Sequence, residues 1–260
     1  LPIDSRRNKW DKHQLLLQCE DLAQYLPETY IFSINRFWEM MNAYKEVVIK
    51  PSGGTAGRGL MKVMEASTNK YIVHVENREI IIEGKSKLER FLQKRRIGRN
   101  SLVQYCIPLA KIDGKPIDFR YIVQRKQEET EWVITGKNGK VAQSGYFVTN
   151  LMQGAEFLAV DETLLNSNIQ NLDLVKTMAD LDHLAIAVSN CLLHTYKDQA
   201  IWGHDLAVDE FGRVWFIEAN WAPYLGGFSR FRDSSMYNKI ISYKNYNRRL
   251  RRKSKIRPQD

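Results

Sequence analysis

Three oxygen-bearing side chains sit at fixed steps in one late segment: Asp205, Glu218 and Asn220. They belong to the run 203–220, where two apolar stretches flank a polar turn containing Gly212. That pattern predicts an antiparallel hairpin. A four-residue loop over 210–213 would pair Asp209 with Val214 and Val208 with Trp215, and so set Asp205 opposite Glu218. Opposed residues of an antiparallel pair point to the same face. Asn220, two residues on, shares that face if the strand continues. Crowded carboxylates repel unless a cation relieves them. Mg²⁺ suits such a place, because it takes oxygen ligands from a few carboxylates and leaves the rest to water and phosphates. His204 beside Asp205 is a structural or substrate-lining residue before it is a ligand, since Mg²⁺ prefers oxygen. A solvated strand end that happens to carry acids would read the same way.

A second segment, 49–59, puts Lys50 at the end of an apolar strand, followed by Gly53, Gly54, Gly57 and Gly59. Glycines let backbone N–H groups come close to a phosphate. No Gly-Lys-Ser/Thr follows and no helix opens behind the loop, so it is neither a Walker A loop nor a Rossmann fingerprint. Strand–loop–strand suggests a flap that closes over phosphates, with Lys50 offering charge to them. An ordinary glycine-rich hairpin loop is the plainer alternative.

The elements that must position these groups follow from periodicity. Apolar residues at helical steps predict helices over 9–26, ended by Pro27, and over 34–44. A basic helix is expected over 87–96, and the longest helix over 174–194. Strands are expected at 47–50, 60–64, 71–75, 80–83 and 102–107 in the first half. In the second half they are expected at 118–125 and 131–135, before the 203–219 hairpin. On the strand 118–125, Asp118 and Arg120 share one face and Phe119 and Tyr121 the other.

Composition sets the class. A hydrophobic fraction of 43% over 260 residues supports a buried core rather than disorder. No apolar run reaches the roughly 18 residues of a membrane span, and the opening stretch 1–11 is polar and basic, unlike a secretory leader. Cys19, Cys106 and Cys191 are far apart and odd in number. They read as buried free thiols of a reducing, cytoplasmic setting, not as a disulfide framework or a zinc site. The net charge of +9 is local: without the seven basic residues between 248 and 259 it falls to +2. That stretch, 248–260, is expected to be a solvated basic tail. It makes nucleic acid an unlikely partner of the body, and leaves an acidic peptide as a candidate partner of the tail.

Loop, hairpin and spacing together resemble the ATP-grasp superfamily, in which a lysine-ended strand precedes a glycine-rich flap and a late D…E-x-N set binds Mg²⁺. Asp205, Glu218 and Asn220 match that set, with thirteen residues from the Asp to the Glu. The chain is most similar to the YheC/YheD-type, spore-coat-associated ATP-grasp proteins of endospore-forming bacteria. The matching pieces are Asn8-Lys9-Trp10, Leu26-Pro27-Glu28-Thr29, Ile49-Lys50-Pro51, Asp118-Phe119-Arg120, Thr149-Asn150-Leu151 and Glu218-Ala219-Asn220. They cover residues 8–245, and imply no complete domain ahead of them.

The resemblance implies an α+β, ATP-grasp fold with two subdomains enclosing a nucleotide cleft. An N-terminal helical segment (1–46) would lead into a smaller subdomain with the flap (47–108) and a larger one with the Mg²⁺ site (109–247). It implies ATP and Mg²⁺ as cofactors. Lys50 and either Lys9 or Lys12 would contact the phosphates, and a hinge at Gln104, Tyr105 and Ile107 would read adenine through its backbone. Arg120 and Asn150 would face the γ-phosphate or an acyl-phosphate. Lys137 stands near a position where related glutamate ligases carry arginine, which bears on the substrate. The implied activity is ligation of a small-molecule or peptide carboxylate to an amine, by a frequently homodimeric enzyme. A non-catalytic coat scaffold and an ATP-grasp kinase are the alternatives, and the resemblance adds a coat protein as a candidate partner of the basic tail.

Overall fold

The computed structural model of the chain describes residues 8–54, 59–149 and 154–256. Strands β1 (Thr29–Ile31), β2 (Glu46–Pro51), β3 (Met61–Ser67), β4 (Lys70–Val75), β5 (Arg78–Glu83) and β6 (Ser101–Tyr105) form one antiparallel sheet in the order β1-β6-β2-β3-β4-β5. Two helices cover it, α3 (Ile34–Tyr44) and α4 (Lys85–Lys94), after the N-terminal pair α1 (Lys9–Leu17) and α2 (Glu20–Ala23). Ser33 caps α3 by accepting from the Arg36 N–H, and Lys45 ends it in the left-handed conformation. Phe37, Met40 and Met41 of α3 and Leu88 and Leu92 of α4 then meet Val47, Ile49, Val63 and Val73 of the sheet in one core.

The second sheet holds β7 (Lys111–Ile112), β8 (Lys115–Gln124), β9 (Val133–Val141), β10 (Glu156–Leu158), β11 (Ile201–Val208) and β12 (Val214–Asn220), in the order β10-β9-β8-β11-β12 with β7 on β8. One face packs on α6 (Leu174–Leu193), with α5 (Val160–Leu165) and α1 beside it, through Phe119, Tyr121, Trp202, Leu206, Leu181, Leu184 and Val188. Part of the other face is closed by α7 (Ser235–Ile256), whose Ile240 packs on Ile122 and Phe228. The remainder of that face carries the polar residues described below. Among the described residues, no helix is long and apolar enough to cross a membrane.

The structure corrects four expectations. The longest described helix is α7, with 22 residues, rather than α6, with 20. The first helix breaks at Gln18–Cys19 into α1 and α2 instead of running to Leu26. Cys19 and Cys191 form a disulfide, leaving Cys106 as the free cysteine. The bond joins residues 172 apart because α1 lies along α6, a neighbourhood that spacing in the sequence does not signal. Residues 248–256 are not a loose tail but the last turns of α7. Asn247 ties that helix to the body: its amide accepts from the Gln127 N–H at 2.9 Å and donates to the Arg125 carbonyl at 2.9 Å.

Candidate nucleotide and metal site

The late hairpin reaches the expected pairing by an unexpected route. Val208 pairs with Val214, so the turn is one residue longer than a 210–213 loop. Asp209 holds it, accepting from the Phe211 and Arg213 N–H groups and from the Trp215 indole. Continued regularly, that register would set Asp205 against Ile217 and turn Glu218 toward the α6 core. A bulge between Asp205 and Leu206 takes up one residue, and Asp205 does oppose Glu218. Asn220 donates to Asp205 Oδ2 at 2.9 Å. Asp205, Glu218 and Asn220 therefore stand together, on the face turned away from α6.

The neighbouring strands add cations. Asp205 pairs with Arg120 on β8, whose Nη2 lies 3.0 Å from Oδ1. On β9, Lys140 reaches Asp118 at 2.6 Å and Asp205 at 3.1 Å, and is itself only 3% exposed. Thr149 also donates to Asp118. Burial alone would raise the Asp205 pKa, but Arg120 and Lys140 outweigh it and hold the carboxyl below its usual range. Burial prevails at Asp118, with Asp205 adding to it against the pull of Lys140, and the pKa is raised.

Three lysines approach from the other side. Lys9 Nζ is 3.4 Å from a Glu218 oxygen and donates to the Gly54 carbonyl at 2.9 Å. Lys12 donates to the Ala219 carbonyl. Lys50 is buried and donates to Gln104 Oε1 at 2.9 Å. Desolvation lowers both Lys12 and Lys50 to about 8, although Glu218 pulls the other way. The geometry has local causes. Asn8 caps α1 and its Oδ1 accepts from the Ser52 hydroxyl at 2.6 Å, while the Lys9 N–H donates to the Ser52 carbonyl at 2.8 Å. Ser52, just past β2, thus docks the helix that carries Lys9 and Lys12. These lysines, His13, Thr29, Gln104, Phe216 and Glu218 line one cavity between the sheets. Burial lowers His13 to about 4, with Lys50 adding.

Other expected positions fall as follows. Gly53, Gly54 and Gly59 flank residues 55–58, with Gly54 at φ 118° and Gly59 at φ 77°, backbone that glycine adopts readily. Gly57 and Asn150 lie outside the described residues. Gln104 and Tyr105 are within β6, where the Tyr105 N–H is taken by the Glu28 carbonyl and the Gln104 amide donates to Thr29. Ile107 follows the strand end, so backbone free of sheet pairing begins near it. Lys137 does not face the site: it pairs with Asp182 of α6 at 2.7 Å. His204 is fully buried against Ser189, at 2.7 Å, and burial lowers its pKa to about 3. It is a core residue.

Two residues escaped the sequence reading. Lys140 is the direct cross-strand partner of Asp118, a relation visible only once the β8–β9 register is known. Asn138, opposite Arg120, is fully buried with neither amide atom hydrogen-bonded. Among the described residues no group of three or more His, Cys, Asp or Glu is arranged to hold a metal. The oxygen donors of Asp205, Glu218 and Asn220 fit Mg²⁺ in kind, as a partial set that phosphate oxygens would complete.

A family model described as YheC/D-like ATP-grasp matches residues 4–246. The endospore coat-associated protein YheD of Bacillus subtilis (strain 168) is 27% identical over 230 residues, which cover 85% of this chain and 49% of that protein. The chain thus spans about half the length of that curated relative. Among solved structures, the VanG D-Ala:D-Ser ligase of Enterococcus faecalis matches with a TM-score of 0.55 at 15% identity, over 92% of this chain and 61% of the ligase. D-alanine–D-alanine ligase of Bacillus anthracis complexed with ATP matches with 0.53 at 13% identity, over 95% and 68%. At these identities the likeness shows the fold.

Proposed function

The chain belongs to the YheC/D-like ATP-grasp family, and on that premise we propose that it binds Mg-ATP between its two sheets and ligates a carboxylate to an amine. One observation carries this reading: three lysines from α1 and β2 converge on Glu218, which stands opposite Asp205 with its partners Asn220 and Arg120. Cations facing carboxylates across a cleft suit a triphosphate with its metal.

In this reading Lys9, Lys12 and Lys50 hold the phosphates, and the backbone around Gly53, Gly54, Gly57 and Gly59 closes over them. The backbone just past the end of β6, near Ile107, reads the adenine edge, beyond Gln104 and Tyr105. Asp205, Glu218 and Asn220 hold Mg²⁺, which when bound neutralises the triphosphate. Arg120, with Asn150, stabilises the phosphoryl group as it passes to a substrate carboxylate and ADP leaves. An amine then attacks the acyl carbon, loses a proton and expels phosphate, while the closed flap keeps water out. The unpaired Asn138 amide offers a donor and an acceptor to the substrate. The cleft divides a smaller subdomain near 47–108 from a larger one near 109–247. The coat association in the relative's name favours a second reading, a spore-associated scaffold that binds nucleotide without turnover.

An ADP-release screen against amino acids and short peptides, followed by product mass, decides among the readings. A product joined with loss of water supports the ligase. A gain of one phosphoryl group on a hydroxyl would make it a kinase. Tight nucleotide binding without ADP from any acceptor would leave the scaffold.

A further inference from the structure

Asp205 is already saturated by the protein's own cations. Arg120 Nη2 lies 3.0 Å from Oδ1 and donates to Oδ2 at 3.1 Å. Lys140 takes Oδ1 at 3.1 Å, and Asn220 donates to Oδ2 at 2.9 Å. Glu218 contrasts with it: Lys9 stands 3.4 Å away, and the side chain keeps 23% of its surface exposed. Lys140 also bridges to Asp118 at 2.6 Å, so a single ammonium ties together the buried Asp118 and the half-buried Asp205.

The charge of the site points the same way. Asp118, Asp205 and Glu218 face Arg120, Lys140, Lys9, Lys12 and Lys50. Near neutral pH the cations exceed the carboxylates by two. A bare divalent cation would enter against that excess, and would have to displace Lys140 or Arg120 from Asp205 with only Asp118, already paired with Lys140, left to take their charge. A polyphosphate reverses the balance and offers the displaced cations new partners.

We propose that Lys140 is a built-in counter-ion that holds Asp118 and Asp205 in the nucleotide-free protein and turns to the phosphates on binding, so that a divalent cation reaches Asp205 only together with a nucleotide. This rests on the nucleotide-binding reading above. It assigns Lys140 a positioning role: it sets the order of ligand entry and neutralises the carboxylate pair until the metal arrives.

The test measures Mn²⁺ binding to the full chain by electron paramagnetic resonance, alone and with a non-hydrolysable ATP analogue. The wild type should bind Mn²⁺ at least about tenfold more weakly without the analogue than with it. Lys140→Met should bind Mn²⁺ alone about tenfold more tightly than the wild type, while Lys140→Arg keeps the wild-type gap. Far-ultraviolet circular dichroism checks that each variant is folded. If Lys140→Met does not fold, Lys140→Gln takes its place in the same measurement, with the same tightening expected and unchanged affinity again counting against the proposal. Equal Mn²⁺ affinity with and without analogue in the wild type would overturn the proposal, as would unchanged affinity in a folded Lys140→Met. Failure of the analogue to bind at all would instead sink the nucleotide reading.

Discussion

Lys12 and Lys50 are cleft side chains whose charge depends strongly on their burial. Burial brings both from the ordinary value of 10.5 to about 8, against the attraction of Glu218. The sign for stability follows from proton counts. Between about pH 8 and 10.5 the unfolded chain binds more protons than the folded one, so the free protein gains stability as pH rises through that window. Nucleotide binding should run the other way, because phosphates favour charged lysines. Affinity for a non-hydrolysable ATP analogue is expected to be level below about pH 8 and to fall above it, by up to about tenfold per pH unit per lysine. Calorimetric titrations at about pH 7 and 9.5 would read this, and a flat profile would remove these lysines from the phosphate site. Glu218 offers a second check. Glu218→Gln keeps shape and removes charge where Lys9 stands 3.4 Å away. It should cut ATP turnover by about 100-fold or more, the scale seen when one preorganised electrostatic group is lost, with little change in melting temperature. Undiminished turnover in the folded variant would refute the metal assignment.

Elements decide which of these side chains can meet, and the disulfide is the element-scale feature most open to test. It pins the α1–α2 corner to the end of α6 at Cys19–Cys191. Reduction, or Cys191→Ser, should cost about 2–4 kcal/mol, the usual range for closing a long loop, read as a lower denaturant midpoint. A thiol count in denaturant without reductant should find one reactive cysteine, Cys106. Three would mean that the bond is absent. Legibility in the sequence follows the range of the forces involved. Helix α3 stands at its expected bounds, because its cap and apolar stripe are local to residues 33–45. The Asp205–Glu218 pairing was legible although the turn was misjudged by one residue, because the β11–β12 bulge restores the register. The disulfide and the Lys140 bridge were not legible, since each joins residues brought together only by packing or by a neighbouring strand's register. The basic stretch misled for another reason: its charge suggested solvation, while Asn247 one residue earlier anchors a helix that carries it.

At the scale of the whole molecule, the site belongs to no single part of the fold. Lys9 and Lys12 come from α1, Lys50 from the first sheet, and Arg120, Lys140, Asp205 and Glu218 from the second. Each sheet also has its own core, one around Phe37 and Val63, the other around Trp202 and Leu184. A ligand gripped from all three sides should therefore tie two cores into one cooperative unit. Linkage sets the size: at about 100 times its dissociation constant a nucleotide adds about 2.7 kcal/mol. For a chain of this size that is a rise of roughly 5–10 °C in melting temperature. The distribution of the effect is the sharper test. Hydrogen exchange should slow together in β2 and β6 of the first sheet and in β11 and β12 of the second when a non-hydrolysable ATP analogue and Mg²⁺ are added. Protection confined to one sheet would mean that the nucleotide does not bridge the cleft, and the convergence of Lys50 on Glu218 would then be a packing feature rather than a binding site.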